Sequence, residues 1–519
     1  MSFVQDHPDI EKLPLVIDGI PVRETIREIF RNPENGTPDN ISKAGCLALA
    51  LRSNEMWGRR EVGRKYRGYV VWNEWRGKFP VRNLGTENFN FVNFEDHDFR
   101  NQPINFSFFK FGDGAKFERT LWGDKARFDE SEWGGWANFS GAQWGDGADF
   151  SRTAWLGTSI FDNTVWGFGA NFYEASWQVR ASFIGSLWSA GANFFKASWR
   201  QGVDFRGSVW TTAARFENAH SDGCMDFSGS AWGGKADFRR IRCAGLIFDG
   251  CSWDRLSGFS LQAAKNWAKH IGSSPYELEE IDFSGATFSG YVSFSNRKFK
   301  GVTNFGLLPF DQLWSQQHRH TTFTVAPLFH GCELHQDTSF EGAVFPAASG
   351  DEKAIHAYRT LKLAFSKQQA IREEQRFFRL EMEEETLRET GLKRWLFKLY
   401  KELSDYGFSA MLPTTYLLLA PFFLMALLYG LIAEVYVLNK YEGLQDIPSS
   451  FFWNLLKWSL TSGLPIPGID VSKELRACLF GAGTALSVLA IIFEMLHKAL
   501  TFLGLFLIGL ALRNLFKLK

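Results

Sequence analysis

Aromatic residues recur at a fixed interval through the middle of this 519-residue chain. From Phe117 onward phenylalanine returns every eleven residues, with a last step of ten, and tryptophan keeps the same interval in between. The phenylalanines are Phe117, Phe128, Phe139, Phe150, Phe161, Phe172, Phe183, Phe194, Phe205, Phe216, Phe227, Phe238 and Phe248. The tryptophans are Trp122, Trp133, Trp144, Trp155, Trp166, Trp177, Trp188, Trp199, Trp210 and Trp232, and Ser221 and Cys243 take the two missing places. A fixed period of this kind predicts one small unit stacked many times.

A small residue stands two positions before most of these aromatics, as with Ala137 before Phe139 and Thr153 before Trp155. Positions i and i−2 lie on the same side of an extended chain, so both side chains should point inward from a short strand. Eleven residues make two such strands, and a closed coil with four inward aromatics needs four. We therefore expect coils of about 22 residues, each phenylalanine stacked on that of the next coil. Glycines are expected to mark corners, for example Gly145, Gly157, Gly167 and Gly185.

The stretch "ANFSGAQWGDGADFSRTAWLGTSIF", residues 137–161, resembles the pentapeptide-repeat family, whose units follow A-x-(L/F)-x-x. The sixth residue in alternate units and the alternate tryptophans resemble an aromatic, eleven-residue double-unit variety of that family. The resemblance implies a right-handed quadrilateral β-helix, so the predicted fold class is mainly β. The pattern is also present at Phe89, Phe94, Phe99, Phe283, Phe288, Phe294, Phe299, Phe305, Phe329, Leu334, Phe340 and Phe345.

These patterns predict four regions. Residues 1–85 form an N-terminal cap region, in which residues 41–66 suggest an amphipathic helix and "YRGYVVWNEW" a strand leading into the first coil. Residues 86–349 form the β-helix, with insertions at 262–280 and 306–322 and roughly ten coils. Residues 350–408 form a helical linker that caps the last coil, since an open solenoid end would expose strand edges. Residues 409–519 form a transmembrane domain.

The C-terminal region contains two long apolar segments. Residues 411–438 hold one charge in 28 positions, and residues 477–512 are interrupted only by Glu494, His497 and Lys498. Each is long enough to cross a hydrocarbon core of ~30 Å. The segment between them, residues 449–470, is too short to span and ends in glycines and prolines. A span, a short re-entrant helix and a second span are typical of a pore, because irregular backbone within a membrane must line water or be buried in protein.

The C-terminal region also resembles the two-transmembrane ion-channel domain fused to bacterial pentapeptide-repeat proteins. The residues concerned are "YRTLKLAF", "FFRLEM", "LYKELSDYG" and "FFWNLLKWSLTSG". The resemblance implies a homotetramer whose second span lines a central pore that conducts ions. The filter candidates are Thr461, Ser462, Gly463, Leu464, Pro465, Ile466, Pro467 and Gly468, and the pore-helix candidates are Trp453, Lys457 and Trp458. Because the potassium filter sequence T-x-G-Y-G is absent, potassium selectivity is not expected.

Cations flank both apolar segments on one side. Lys393, Arg394, Lys398 and Lys401 precede the first span, and Arg513, Lys517 and Lys519 follow the last. The positive-inside tendency places both groups in the cytoplasm, which requires an even number of crossings and predicts one long or bent helix for the second apolar segment. Ionisable groups within such a segment are functional candidates, here Glu494, His497 and Lys498. Alternatively, Glu494 and Lys498 pair at i,i+4 and have no role in conduction.

Charge and motif content exclude several functions. The chain balances 57 Lys+Arg against 57 Asp+Glu, so no nucleic-acid partner is expected. No P-loop, HExxH or GxSxG motif occurs, and neither an enzyme activity nor a cofactor is expected. The one potential metal cluster, formed by His318, His320, His330, Cys332 and His335, is better explained as loop and edge residues, so no metal is expected. The six cysteines form no CxxC pair, and the polar N-terminus is not a signal peptide.

Two hypotheses follow. In the first, the protein is a channel in a bacterial inner membrane, and its cytoplasmic β-helix senses a condition or binds a protein partner. In the second, the two spans only anchor a protein-interaction scaffold, without conduction. Both include membrane lipid as a partner.

Overall fold

The computed structural model describes residues 7–57, 67–80, 82–84, 87–89, 91–234, 236–249, 277–278, 280–306, 320–440, 450–463 and 471–516. The chain forms two compact units. The first comprises Met1–Ala347 and Leu363–Gln369, and the second comprises Ala348–Lys362 and Ala370–Lys519. The boundaries predicted at residues 85, 349 and 408 stay predictions.

The first unit is dominated by a β-solenoid of about eight turns over residues 92–304. Its strands pair in parallel with partners 22 residues away, as when Ser159 pairs with Ala137 on one side and Ala181 on the other. Trp166 likewise pairs with Trp144 and Trp188. The predicted coil of 22 residues is therefore confirmed. Isolated bridges continue the stacking as far as Val344.

Most strands of the solenoid are only two residues long. The strands before the first insertion are Val92–Asn93, Lys110–Lys116, Glu132–Asn138, Gln143–Trp144, Ala154–Trp155, Ser159–Ile160, Val165–Phe168, Ser176–Trp177, Ala181–Ser182, Leu187–Ala190, Ala192–Asn193, Ser198–Trp199, Val203–Asp204, Val209–Trp210, Ala214–Arg215, His220–Asp226, Ala231–Trp232, Ala236–Asp237 and Arg242–Ile247. Those after it are Glu277–Leu278, Ile281–Asp282, Thr287–Phe288, Val292–Ser293, Lys298–Phe299, Thr303–Asn304 and Thr322–Phe323.

Stacked aromatic columns fill the interior of the solenoid. Phe128 and Phe150 lie parallel with centroids 4.7 Å apart, and Trp144 and Trp166 with centroids 5.0 Å apart. Neighbouring columns meet edge to face, as Phe139 does with Phe150 at 6.0 Å. The small residues two positions before the aromatics are buried beside them. Both geometries suit the aromatic quadrupole, so each ring contributes packing along and across the columns.

The corners of the coil follow a rule that the sequence pattern did not indicate. The residue two positions after each phenylalanine has positive φ, and in many coils it is not glycine, as at Arg119, Arg152 and Asn163. Of the glycines expected to mark corners, only Gly185 adopts positive φ. Gly157 instead lies where a Cβ would meet the carbonyl oxygen of Gly135 at 2.3 Å, because the coils approach closely there.

The two predicted insertions fall largely outside the described residues. Their ends, however, belong to the solenoid: Glu277–Leu278 pairs with Lys298–Phe299, and Thr322–Phe323 pairs with Thr287–Phe288. The predicted limits 262–280 and 306–322 were therefore too wide at their C-terminal ends. The strand-forming alternation resumes earlier than the sequence pattern suggested.

The N-terminal segment contains helices α1 (Val22–Phe30), α2 (Lys43–Trp57) and α3 (Val70–Lys78), with 3-10 turns at Ile10–Lys12 and Pro33–Asn35. Two antiparallel hairpins complete it, Gly36–Thr37 with Asn40–Ile41 and Arg82–Leu84 with Glu87–Phe89. The prediction of a strand at "YRGYVVWNEW" was wrong. Val71, Trp72 and Trp75 are buried at helical spacing, and the Trp72 ring stacks on Phe94. The Trp72 indole also donates to the Lys110 carbonyl, so α3 covers the first coil.

Helix α4 (Glu352–Lys367) supplies a cover for the last coil. Its Phe365 is buried with its ring 6.0 Å from Phe340, and Gln368 donates to the Leu334 carbonyl at 2.7 Å. The polar edges that an open solenoid end would expose are thus partly paired.

The second unit is helical. It contains the first part of α4, then α5 (Ile371–Arg388), α6 (Gly391–Ser404), α7 (Ala420–Lys440), α8 (Ser450–Gly463), α9 (Val471–Phe480) and α10 (Ala485–Phe516). A helical turn at Met411–Pro413 and a π-helical segment at Thr414–Leu419 lead directly into α7. Two helices are long and apolar enough to cross a membrane, Met411–Val437 and Ala485–Phe516. We refer to them as the first and second apolar helices.

The second apolar helix is one continuous helix through Glu494, His497 and Lys498, as the charge distribution predicted. It starts later than the sequence suggested, however. Residues 477–480 belong to α9, and the chain turns at Gly481 and Gly483, which both have positive φ. A solenoid together with two such helices fits a membrane-associated protein.

Candidate functional site

The short helix α8 lies between the two apolar helices in sequence and packs on both. Its 14 residues measure about 21 Å, less than the ~30 Å of a hydrocarbon core. Trp458 is fully buried, with its ring 6.0 Å from Tyr429 of α7 and 5.6 Å from Phe480 of α9. These aromatic contacts fix one face of α8.

The C-terminal end of α8 meets the second apolar helix at His497. A Cβ on Gly463 would lie 2.9 Å from both Cε1 and Nε2 of the imidazole, so Gly463 packs directly against the ring. Ser462 Oγ lies 3.5 Å from His497 Nδ1. The structure therefore brings together two of the filter candidates and one of the charge candidates. We call Ser462, Gly463 and His497 the helix-end site.

The second apolar helix presents its polar residues on one buried face. That face comprises Ser487, Ala490, Glu494, His497, Thr501, Gly504, Leu507 and Ala511, spaced three or four apart. Gly504 allows close contact, since a Cβ there would lie 3.0 Å from Leu417 Cβ in the first apolar helix. Small and polar residues at such an interface are typical of helices that associate within a bilayer.

Glu494 and Lys498 form an i,i+4 ion pair at 2.5 Å. The Glu494 side chain is 10% exposed and that of Lys498 is 42% exposed, so one charge is buried and the other reaches the surface. This is the contact of the alternative weighed from the sequence. Its role in conduction, or the lack of one, stays a prediction.

The remaining candidates are divided between exposed, buried and undescribed positions. Trp453 and Lys457 are exposed on the outer face of α8, whereas Trp458 is buried. The Thr461 hydroxyl donates back to the Lys457 carbonyl at 2.7 Å. Leu464, Pro465, Ile466, Pro467 and Gly468 lie outside the described residues.

Sequence reasoning missed Tyr429, Ser459 and Thr501, which are buried with the helix-end site or close to it. The signal was available for the second apolar helix, because Ser487, Glu494, His497 and Thr501 recur at intervals that place them on one helical face. Tyr429 gave no comparable signal, since it is one tyrosine in an apolar run.

An apolar cleft of about 390 Å³ opens beside the helix-end site. Its walls come from the first apolar helix, α8 and the second apolar helix, and Gly463 and His497 form part of them. The lining residues are Leu418, Leu419, Phe422, Leu460, Gly463, His497, Thr501 and Leu505. The cleft is too apolar to bind an ion.

Buried carboxylates hold the helical linker together within the second unit. Glu384 is 1% exposed, and its Oε2 accepts from the backbone N–H groups of Ser349 and Gly350 at 2.9 and 2.6 Å. Glu381 accepts from Arg359 at 2.7 Å and from Lys362 at 2.6 Å. Burial, with Glu384 nearby, raises the pKa of Tyr358. These charge-assisted bonds give the start of α4 a defined position on α5.

A second cluster joins α5, the turn before the first apolar helix and the end of the second. Asp405, Tyr406 and Gly407 have three consecutive positive φ values. Asn514 Nδ2 donates to the Gly407 carbonyl at 2.9 Å, and Gln375 Nε2 donates to the Asn514 carbonyl at 2.9 Å. Such unusual backbone persists only where surrounding contacts determine it.

Metal-ligating residues form no cluster of three or more in the part of the chain that the structure describes. His320 Nδ1 lies 2.9 Å from the Gly342 carbonyl, and Cys332 Sγ lies 2.8 Å from the Phe294 carbonyl. His318 lies outside the described residues.

Comparisons of the chain with protein-family models, with curated proteins and with solved structures find no match. The fold and contacts described above are therefore the basis of the functional argument.

Proposed function

We propose that this protein is a membrane ion channel with two spans per subunit, whose β-solenoid acts as a sensor or interaction module. The observation that supports it most is the position of α8. A helix too short to span, between two helices that can, ends against the buried polar face of the second one. Irregular backbone following such a helix is tolerated in a bilayer where it lines water or protein.

In this proposal the chain forms a homotetramer and the residues after Gly463 line the narrow part of the pore. His497 and Ser462 support the start of that segment from behind rather than facing the ion. The sequence Leu464–Pro467 lacks the potassium filter pattern, so we propose a pore of low selectivity. The resemblance of residues 358–463 to two-span channel domains supports the same arrangement.

The solenoid has a polar outer surface and a core fully occupied by aromatic rings. It therefore offers faces for a protein partner and no interior site. We propose that it lies in the bacterial cytoplasm, in agreement with the cations that flank the apolar helices. An enzymatic function, a cofactor and a nucleic-acid partner remain outside the proposal.

A second candidate is a membrane-anchored scaffold that does not conduct. The observation in its favour is the replacement of the expected filter by leucine and two prolines. The solenoid would then be the functional part, and the apolar helices would only anchor it.

Ion flux from proteoliposomes separates the two candidates. The full-length protein is reconstituted beside Gly463→Ala, which crowds His497, and Gly509→Ala, whose added Cβ would meet nothing within 4 Å. A channel predicts flux for the wild type and Gly509→Ala and a changed flux for Gly463→Ala. Absence of flux above protein-free vesicles in all three, with folded protein in the bilayer, would favour the scaffold.

A further inference from the structure

Helix α6 (Gly391–Ser404) is fixed to the second unit by one side only. Lys401 Nζ pairs with Glu383 at 2.7 Å, and the Tyr400 ring lies edge-on to Tyr406 at 5.9 Å. Ser404 is buried and its hydroxyl donates to the Tyr400 carbonyl. Burial raises the pKa of Tyr400, in agreement with its position in this contact.

The opposite side of α6 is apolar and faces outward. Leu392 is 73% exposed, Trp395 58% and Leu396 49%. Their spacing of i, i+3 and i+4 places them on one stripe. An outward apolar stripe with a tryptophan is the reverse of what a helix in water presents.

Cations stand beside this stripe. Lys393 and Lys398 are exposed and Arg394 is partly exposed. Lys393 also pairs with Glu389, and Glu402 is the only acidic residue near the stripe on α6 itself. The stripe is therefore flanked by net positive charge.

The position of α6 in the second unit gives the stripe its meaning. Tyr400 Oη, Gly407 and Asn514 Nδ2 lie together, so α6 packs near both the start of the first apolar helix and the end of the second. If the two apolar helices cross a bilayer, these ends lie at its surface. Tryptophan and basic residues are enriched at that depth.

We propose that α6 is an interfacial helix that binds anionic phospholipid. Leu392, Trp395 and Leu396 insert among the upper acyl chains, and Lys393, Arg394 and Lys398 contact the phosphate groups. The inference requires that the apolar helices span a bilayer and is independent of conduction.

The first test counts bound lipid on the full-length protein by native mass spectrometry, with phosphatidylglycerol and phosphatidylcholine supplied together. Lys393→Gln/Lys398→Gln is compared with Lys353→Gln/Arg372→Gln, which removes two exposed cations from α4 and α5. Since each cation near an anionic surface contributes ~1 kcal/mol, we expect phosphatidylglycerol to bind about thirtyfold more weakly to the α6 variant. Equal retention by both variants would overturn the proposal.

The second test identifies what contacts the stripe. Leu396 is replaced by the photoreactive residue benzoylphenylalanine, and the protein is irradiated in vesicles of phosphatidylcholine and phosphatidylglycerol at 7:3. Adducts to lipid are the expected result. Adducts to a second protein chain, or adducts to neither lipid nor protein, would show that another occupant or water covers the stripe. An unchanged ion flux would not bear on either result.

Discussion

Hydroxyl groups pair with the tryptophan ladder at the level of single residues. Six of the ten ladder tryptophans donate their indole N–H to a Ser or Thr two positions earlier, as Trp155 does to Thr153 at 2.9 Å. Trp144, Trp177, Trp188 and Trp199 have buried indole N–H groups with no hydrogen-bond partner. In three of these four, alanine occupies the acceptor position. An unpaired buried donor costs free energy, so these positions weaken the solenoid.

Ala175→Ser should therefore stabilise the protein. Ala175 and Thr153 are in register in successive coils, so a serine there places its hydroxyl where Thr153 places its own. We expect the free energy of unfolding to rise by about 1 kcal/mol, the usual contribution of one hydrogen bond. Urea unfolding of the detergent-solubilised full chain, followed by tryptophan fluorescence, measures it.

The matched control is Ala181→Ser, at a buried position before a phenylalanine. Its neighbour in register, Ser159, has a buried hydroxyl with no hydrogen-bond partner. This variant should unfold at lower urea concentration than the wild type. If both serine variants shift in the same direction, the indole account is wrong.

Coil-to-coil contact restricts side chains at another residue, Gly157. A Cβ there would meet a neighbouring backbone carbonyl at 2.3 Å, so Gly157→Ala must separate two coils. We expect a loss of about 1–3 kcal/mol of unfolding free energy or more. Gly141→Asn is the control, because Asn163 in the next coil already adopts the same left-handed conformation. A Gly141→Asn loss as large as that of Gly157→Ala would contradict this explanation.

Among the secondary-structure elements, the start of α4 depends on one carboxylate. Glu384→Gln removes the charge that binds the Ser349 and Gly350 N–H groups. Charge-assisted bonds of this kind contribute about 1.5–3 kcal/mol, so these amides should exchange hydrogen roughly ten- to a hundredfold faster. Hydrogen-exchange mass spectrometry of the full chain tests this, with the more exposed Glu389→Gln as control. Unchanged exchange at residues 349–350 would show that Glu384 does not hold this turn.

The contact between α8 and the second apolar helix can be isolated by a double-mutant cycle. Gly463→Ala alone should lower the thermal stability of the membrane domain, by about 1–3 kcal/mol, because the buried His497 ring must move. In a His497→Ala background the same substitution should cost much less. Equal costs in the two backgrounds would mean that Gly463 and His497 do not interact.

Much of the fold was predictable because the aromatic period is itself the structural repeat. Phe139 and Phe161 predict their own stacking, since nothing else explains a constant interval of two units. The helix at Val70–Lys78 was not predictable by that argument, because its tryptophans pack on the solenoid end rather than within a coil. For the site, the pattern indicated Gly463 and His497 separately. Their contact depends on the tertiary packing of α8, which no local pattern encodes.

For the whole molecule, the proposed pore requires several copies of the chain. The two apolar helices have many exposed apolar residues on their outer faces, among them Phe423, Phe502 and Phe506. Lipid and neighbouring subunits would both cover such faces. We expect the detergent-solubilised protein to have a mass of four times 59.1 kDa after correction for detergent. A monomeric mass in lipid nanodiscs as well as in detergent would exclude a shared central pore.

Single-channel recording of the full-length protein in a planar bilayer tests the central proposal most directly. The account predicts discrete current steps with low selectivity between potassium and sodium, because no potassium filter sequence follows Gly463. It also predicts that Gly463→Ala changes the step size or open time and Gly509→Ala does not. A silent bilayer containing demonstrably inserted, folded protein would contradict the channel proposal and leave the membrane-anchored scaffold.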